Sequence, residues 1–207
     1  MKYRLLDLFC GSGGAGMGYS RAGFEVVGVD LYPQKHYPFE FHQADALEYL
    51  AQHGAEFDII HASPPCQRYS EGTPMRSRNK HPDLIAKTRK ALQNSGKPYV
   101  IENVDGARFL LHEPFLLCGT MFGLRVFRHR WFEAPELSII SPGCQHGFHP
   151  VVISGSAHGR GEAKIPDMIA ALGVHWMKVR SEVRQAIPPA YTEFIGKQLL
   201  QFLCYNK

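Results

Sequence analysis

Cys66 stands behind two prolines in Ser63-Pro64-Pro65-Cys66-Gln67, and Glu102 stands in Ile101-Glu102-Asn103-Val104 behind a second hydrophobic run. Proline fixes φ and carries no N–H, so the chain must leave its strand extended and stiff, which holds the next side chain in one place. A thiol and a carboxyl presented this way at two strand ends can share a cleft. Covalent attack by sulfur on an electron-poor ring, assisted by a nearby acid, is a chemistry that needs such a pair. The bland alternatives are a buried structural thiol at Cys66 and a capping or ion-paired acid at Glu102. The two prolines and the polar segment after Cys66 argue against the first, and the apolar neighbours of Glu102 against the second.

The elements that would position these groups follow from the hydrophobic pattern. Residues 3–9 predict a strand, a glycine-rich turn follows, and then a helix to Ala22 and a strand over 24–29 ending at Asp30, which is a β–α–β unit. Helices are expected over 45–53 and 82–93, and buried strands over 57–62 and 99–101. This alternation predicts an α/β fold of Rossmann-like type, a mainly parallel sheet with helices on both faces, whose ligands lie beyond the carboxyl ends of the strands. The glycine turn, Asp30, Cys66 and Glu102 all fall on that edge. From Phe127 the pattern loosens. Residues 132–180, with a strand-like 150–154, are expected to form an irregular insert within a single domain covering 1–207, which closes with an amphipathic helix after Ile187-Pro188-Pro189.

Asp7-Leu8-Phe9-Cys10-Gly11-Ser12-Gly13-Gly14-Ala15-Gly16 joins a strand to a helix. Its glycines allow close approach of a ligand, while helix N–H groups face negative charge. Asp30 is placed to accept from ribose hydroxyls, and Asp45 is the next acid along the edge. Nicotinamide, flavin and methionine-derived cofactors all use such turns.

The chain has 207 residues, a net charge of +4 and a pI of about 8.8, a balance that permits a polyanionic partner without demanding one. Arg68, Arg76, Arg78, Lys80, Lys87, Arg89 and Lys90 against Glu71 and Asp83 put positive charge directly after Cys66, suited to phosphate contacts or to a solvated helix face. No apolar run approaches the roughly eighteen residues of a membrane span, and no secretion signal opens the chain, so a cytoplasmic protein is expected. Five cysteines, Cys10, Cys66, Cys118, Cys144 and Cys204, show no regular spacing and are expected to stay reduced, with Cys10, Cys118 and Cys204 as packing residues. Cys144, His146, His149 and His158 suggest zinc by type, but no Cys-x-x-Cys pair accompanies them and no metal is expected.

These motifs in this order resemble the cytosine carbon-5 methyltransferases that act on nucleic acid with S-adenosylmethionine. Asp7 to Gly14 resembles that family's first motif, Pro64-Pro65-Cys66-Gln67 its nucleophile motif, Glu102-Asn103-Val104 and Arg128-His129-Arg130 the next two, and Gln185-Ala186-Ile187-Pro188-Pro189 with Ile195-Gly196 the last. Amino-group methyltransferases carry an aromatic where this chain has Cys66. Two departures stand out: Gln185 replaces the usual asparagine, and the stretch between Arg130 and Gln185 is shorter than the usual target-recognition domain.

The resemblance implies a DNA (cytosine-5) methyltransferase that uses S-adenosylmethionine. Cys66 would add to carbon 6 of an extruded cytosine, Glu102 would hold the base at N3 and its amino group, Arg130 would hold the carbonyl, and Arg128 a phosphate or the loop. Nearby arginine is expected to raise the thiolate fraction of Cys66. Asp7, Phe9 (against adenine), Gly11, Gly13, Gly14, Asp30, Asp45, Pro64 and Gln185 would form the cofactor pocket. Gln67, Arg68, Ser70, Arg76, Arg78 and Asn103 would contact the substrate, with the 67–80 loop closing over the flipped nucleotide. The region around Cys144, with Arg160 and Lys164, is expected to be a reduced recognition element for a short or relaxed target in duplex DNA. A monomer is expected, and the sequence names no cognate restriction enzyme. The rivals are a tRNA or other RNA cytosine-5 methyltransferase, a nucleotide-cofactor oxidoreductase that leaves Cys66 and Glu102 without a task, and a non-catalytic DNA-binding protein.

Overall fold

A computed structural model of the chain describes residues 2–155 and 161–205. His158 and Arg160, named above for the insert, lie outside the described residues.

The strands are β1 (Arg4–Leu8), β2 (Glu25–Asp30), β3 (Glu40–Gln43), β4 (Ile59–Ala62), β5 (Tyr99–Asn103), β6 (Phe115–Leu117) and β7 (Arg130–Glu133). They form one sheet in the order β3-β2-β1-β4-β5-β7-β6. From β3 to β5 the pairing is parallel, and β7 enters antiparallel between β5 and β6. Strand order reverses at β1, between β2 and β4. The carboxyl end of β1 is therefore a topological switch point, where a sheet of this kind opens a crevice.

Neighbouring residues along each strand face opposite ways and fill two cores. Leu6, Ile60 and Ile101 pack with Leu50 of α2 (Ala46–His53) and Ile85 and Leu92 of α4 (Ile85–Ser95). Leu5, Ile59 and Val100 pack with Tyr19 of α1 (Gly14–Ala22) and Tyr191, Ile195 and Leu199 of α7 (Pro189–Tyr205). The α/β architecture with both faces covered is thus as expected. A four-residue helix, α3 (Met75–Arg78), sits in the basic loop.

The insert differs from expectation. Residues 132 and 133 belong to β7, and Ile165–Leu172 forms helix α5, followed by α6 (Arg180–Gln185). Met168 and Leu172 of α5 share a third core with Val126, Ile153, Val174, Met177, Val183 and Ala186. Residues 150–154 form no strand, although Val151 N–H donates to Arg125 O and Ala163 N–H to Val152 O. The strand-like pattern there marks burial of Val152 and Ile153 rather than sheet pairing. Among the described residues no helix is long and apolar enough to cross a membrane.

Candidate active site

Leaving β4, the chain runs through Pro64 and Pro65 to Cys66, whose carbonyl accepts from both Tyr69 N–H and Ser70 N–H, closing a turn beneath the thiol. Asn103 at the end of β5 donates from Nδ2 to Pro64 O at 2.9 Å. This bond fixes the cysteine turn to the strand that carries Glu102. Asn103 is fully buried and its Oδ1 accepts from Val104 N–H, so it positions the turn and does not face a substrate, correcting the expectation for it.

Glu102 is buried on β5, and Arg130, at the start of the adjacent β7, places Nε 2.9 Å from Glu102 Oε1. Burial lifts the Glu102 carboxyl above its ordinary range, and Arg130, a hydrogen bond from Ser63 and the charge of Arg128 offset this only in part. The Cys66 thiol is half-buried. Burial, then the charge of Glu102, push its pKa up, and Arg130 and Arg128 do not reverse the shift. The expected gain of thiolate from the arginines is therefore overturned: desolvation and the carboxylate win, and the thiol rests protonated.

Arg128 serves another purpose. Its Nε donates to Ala186 O at 2.7 Å, its second guanidinium nitrogen donates to Arg184 O, and Tyr191 O–H donates to Arg128 O. Arg128 thus ties the last motif to the segment carrying Arg130 instead of reaching toward a phosphate. It is a positioning residue.

Tyr19 and His61, which sequence reading passed over, connect to Glu102 through Ser63. Fully buried His61 on β4 places Nδ1 3.0 Å from Tyr19 Oη and Nε2 2.9 Å from Ser63 Oγ, and Ser63 in turn bonds Glu102. Burial alone pulls the His61 pKa down to about 3, so the imidazole is neutral, one ring nitrogen donating and the other accepting. Only a histidine in an otherwise apolar strand signalled this relay.

The glycine turn occupies the switch point. Phe9 has φ +57°, Gly11 +48° and Gly13 +81°, so the chain makes a sharp left-handed course just after β1. A side chain there is tolerated at Phe9 only because the surroundings hold it, a form of local strain found at ligand sites. A Cβ on Gly11 would meet nothing within 4 Å, which leaves an open cradle over the turn. Asp30 flanks it, with Oδ2 accepting from Gly11 N–H at 3.0 Å and Oδ1 from Tyr32 N–H. Asp7 lies underneath, fully buried. Its Oδ2 accepts from Tyr37 O–H, its Oδ1 has no hydrogen-bond partner among the described residues, and burial holds the group well above the carboxylate range. S-adenosylmethionine carries cationic groups, so an open glycine cradle flanked by the Asp30 carboxylate fits it, with buried Asp7 supporting the turn from below.

The last motif closes the back of this turn. A Cβ on Gly14 would stand 2.5 Å from Ile187 O, and Trp176 Nε1 donates to Ser12 O at 2.8 Å. The backbone of Ile187 makes the approach, and the Gln185 side chain is exposed. Asp45 caps α2, Oδ1 accepting from Leu47 and Glu48 N–H, and that task accounts for the acid.

In the basic loop Arg68 donates to His81 O and Arg78 to Thr73 O, while Ser70 Oγ accepts from Gly72 N–H. These side chains shape the loop. Gln67 and Arg76 are exposed. Cys118, expected to be a packing residue, instead meets His129, Cys144 and His146, all four offering ligand atoms within 4.8 Å of one another. An open groove of about 510 Å³ between Leu124, Arg125, Val151, Val152 and α5 shares no residue with the glycine turn or with Cys66, Glu102 and Arg130.

Comparison with known proteins accords with this geometry. The model of the C-5 cytosine-specific DNA methylase family matches residues 3–113, a stretch that holds the glycine turn, Cys66 and Glu102. The Type II methyltransferase M.FnuDI of Fusobacterium nucleatum is 34% identical over 83 residues, 37% of this chain and 24% of that protein. The chain therefore aligns with about a quarter of this curated relative. Among solved structures, the Entamoeba histolytica methyltransferase EhMeth superposes with a TM-score of 0.61 at 12% identity over 100% of this chain and 99% of its own, a likeness of fold. The S. pombe Dnmt2 methyltransferase gives 0.46 at 19% identity over 64% and 48%. With the family match running from β1 past β5, over half the chain, this protein belongs to the C-5 cytosine-specific DNA methylase family.

Proposed function

We propose that this chain is a DNA (cytosine-5) methyltransferase using S-adenosylmethionine. The observation that carries the reading is the convergence of Cys66 with the buried Glu102–Arg130 pair on the sheet edge that also holds the glycine cradle. Burial holds the Cys66 thiol above its ordinary pKa and shifts the Glu102 carboxyl upward as well, so each group keeps a proton more readily than it would in water. With a cytosine in the cleft, the Cys66 thiol loses its proton to water and the thiolate bonds to carbon 6. Glu102 gives a proton to N3, so that carbon 5 gains enamine character without leaving charge on the ring. Arg130 then steadies the Glu102 carboxylate that forms. The glycine turn with Phe9 and Asp30, underlain by Asp7, would hold S-adenosylmethionine, which would supply the electrophilic methyl group. Loss of the carbon-5 proton, departure of Cys66 from carbon 6 as thiolate and return of the N3 proton to Glu102 restore the aromatic ring and the resting acid.

A base inside a duplex must be extruded first, at a cost of a few kcal/mol. The exposed Arg76 on α3 and the neighbouring Lys80 supply phosphate contacts toward that cost. The short insert suits a short or relaxed target, and the protein acts as a monomer in the cytoplasm, with or without a companion restriction enzyme. Transfer of labelled methyl groups to duplex DNA, RNA and free dCMP tests the reading. Label is expected in DNA, with Cys66→Ala abolishing it while still binding S-adenosylmethionine. Label in RNA alone, or normal transfer by Cys66→Ala, would overturn it.

A further inference from the structure

Cys118 follows β6, His129 lies between Arg128 and Arg130 at the entry to β7, and Cys144 and His146 lie in the 138–150 segment, which has no regular secondary structure. Three separate stretches of chain therefore deliver two thiols and two imidazoles to one point, where the ligand atoms all fall within 4.8 Å of one another. Cys118 Sγ stands 3.4 Å from His146 Nε2, and Cys144 Sγ stands 3.8 Å from His129 Nε2. Ligands at about 2.3 Å (sulfur) and 2.0–2.1 Å (nitrogen) around a tetrahedral ion are separated by roughly 3.3 to 3.8 Å. The two sulfur–nitrogen pairs match this separation, and the remaining pairs, all within 4.8 Å, can contract to it on binding. We propose that Cys118, His129, Cys144 and His146 bind a structural zinc ion that fastens the 138–150 segment to the β6–β7 hairpin.

The surroundings support a built site. Cys118 is fully buried, and Thr120 Oγ1 lies 3.2 Å from its sulfur while accepting from Gln145 N–H, the residue between the two ligands of the loop. The Phe127 ring stacks on His146 with centroids 4.1 Å apart, and the two imidazoles stack on each other at 5.1 Å. Four protein ligands of this kind close the coordination sphere, which makes the ion a brace and not a reagent. An exposed loop with no strand or helix of its own gains most from such a brace, because metal binding adds directly to folding free energy. The ion would also fix His129, and through it the backbone between the two arginines. Zinc fills the gap left by the missing Cys-x-x-Cys spacing: the partners of Cys144 and His146 lie upstream at Cys118 and His129.

Elemental analysis of the full-length protein, purified without chelator, tests this. About one zinc ion per chain is expected. Cobalt(II) in its place should give the absorption of a tetrahedral thiolate–imidazole site. Cys144→Ser and His146→Ala, both at exposed positions, should lose most of the metal, whereas Cys204→Ser, outside the cluster, should keep it. A chelator should lower the melting temperature of the wild-type chain and leave Cys144→Ser unmoved. Metal-free protein after growth with added zinc and no cobalt spectrum, full retention of zinc by Cys144→Ser, or a Cys118–Cys144 disulfide in the native protein would each overturn the assignment. Metal content is read without methyl transfer, so this test stands or falls separately from the proposed activity.

Discussion

Replacing Arg130 by methionine removes the cation 2.9 Å from Glu102 while keeping much of the side-chain volume. Breaking a buried ion pair from one side costs about 3–5 kcal/mol when the remaining charge stays ionised. Glu102 has an escape, since burial already favours its protonated form and loss of Arg130 favours it further. The sign follows from linkage. A carboxyl whose folded pKa lies above its unfolded value stabilises the fold in acid, and that stability is lost as pH rises toward the folded value. The slope approaches about 1.4 kcal/mol per pH unit for one proton. Arg130 narrows this window in the wild-type chain and its removal widens it. The deficit of Arg130→Met relative to wild type should therefore be small near pH 5 and grow toward pH 8. Urea unfolding followed by the fluorescence of Trp131 and Trp176 at several pH values measures it. Adding Glu102→Gln should recover most of the loss at pH 8. A deficit that does not change with pH, or a double variant as unstable as Arg130→Met at pH 8, would refute the assignment of a buried, proton-accepting Glu102 held by Arg130.

Alkylation of Cys66 by iodoacetamide, followed peptide by peptide, should show a midpoint above the ordinary thiol value of about 8.5, and Glu102→Gln should lower it by removing a neighbouring negative charge. A midpoint at or below the ordinary value would contradict this. Arg76→Ala should weaken binding to all duplexes and reduce the salt slope by about 1, with a smaller effect for Arg78→Ala because Arg78 is committed to Thr73 O; an unchanged slope for Arg76→Ala would remove that loop from the interface.

β1, β2, β4 and β5 were legible because they are buried on both faces, leaving apolar runs such as Val26-Val27-Gly28-Val29 between turn residues, whereas β3, only partly buried, was not anticipated. β7 was not, because Arg130-Trp131-Phe132-Glu133 carries charge at both ends. The structure absorbs those charges, pairing Arg130 with Glu102 and buried Glu133 with Arg89. Cys66 and Glu102 were legible from their place after prolines and a strand. For Arg128 and Asn103 the sequence shows that a donor is present and not which carbonyl it meets. The Tyr19–His61 contact and the meeting of Cys118 and His129 with Cys144 and His146 join residues from separate stretches of the chain, and no short spacing announces them.

The packing of α7 has a bearing on how the protein is made. Leu5, Ile59 and Val100 come early in the chain, yet their cover includes Tyr191, Ile195 and Leu199. Gly14 and Gly18 are shaped to receive Ile187 and Pro189. A nascent chain still held by the ribosome therefore has its cysteine turn and glycine turn synthesised but one sheet face bare, a sticky surface of the sort that chaperones attend to. The activity proposed above would require α7 to have emerged and docked on that face.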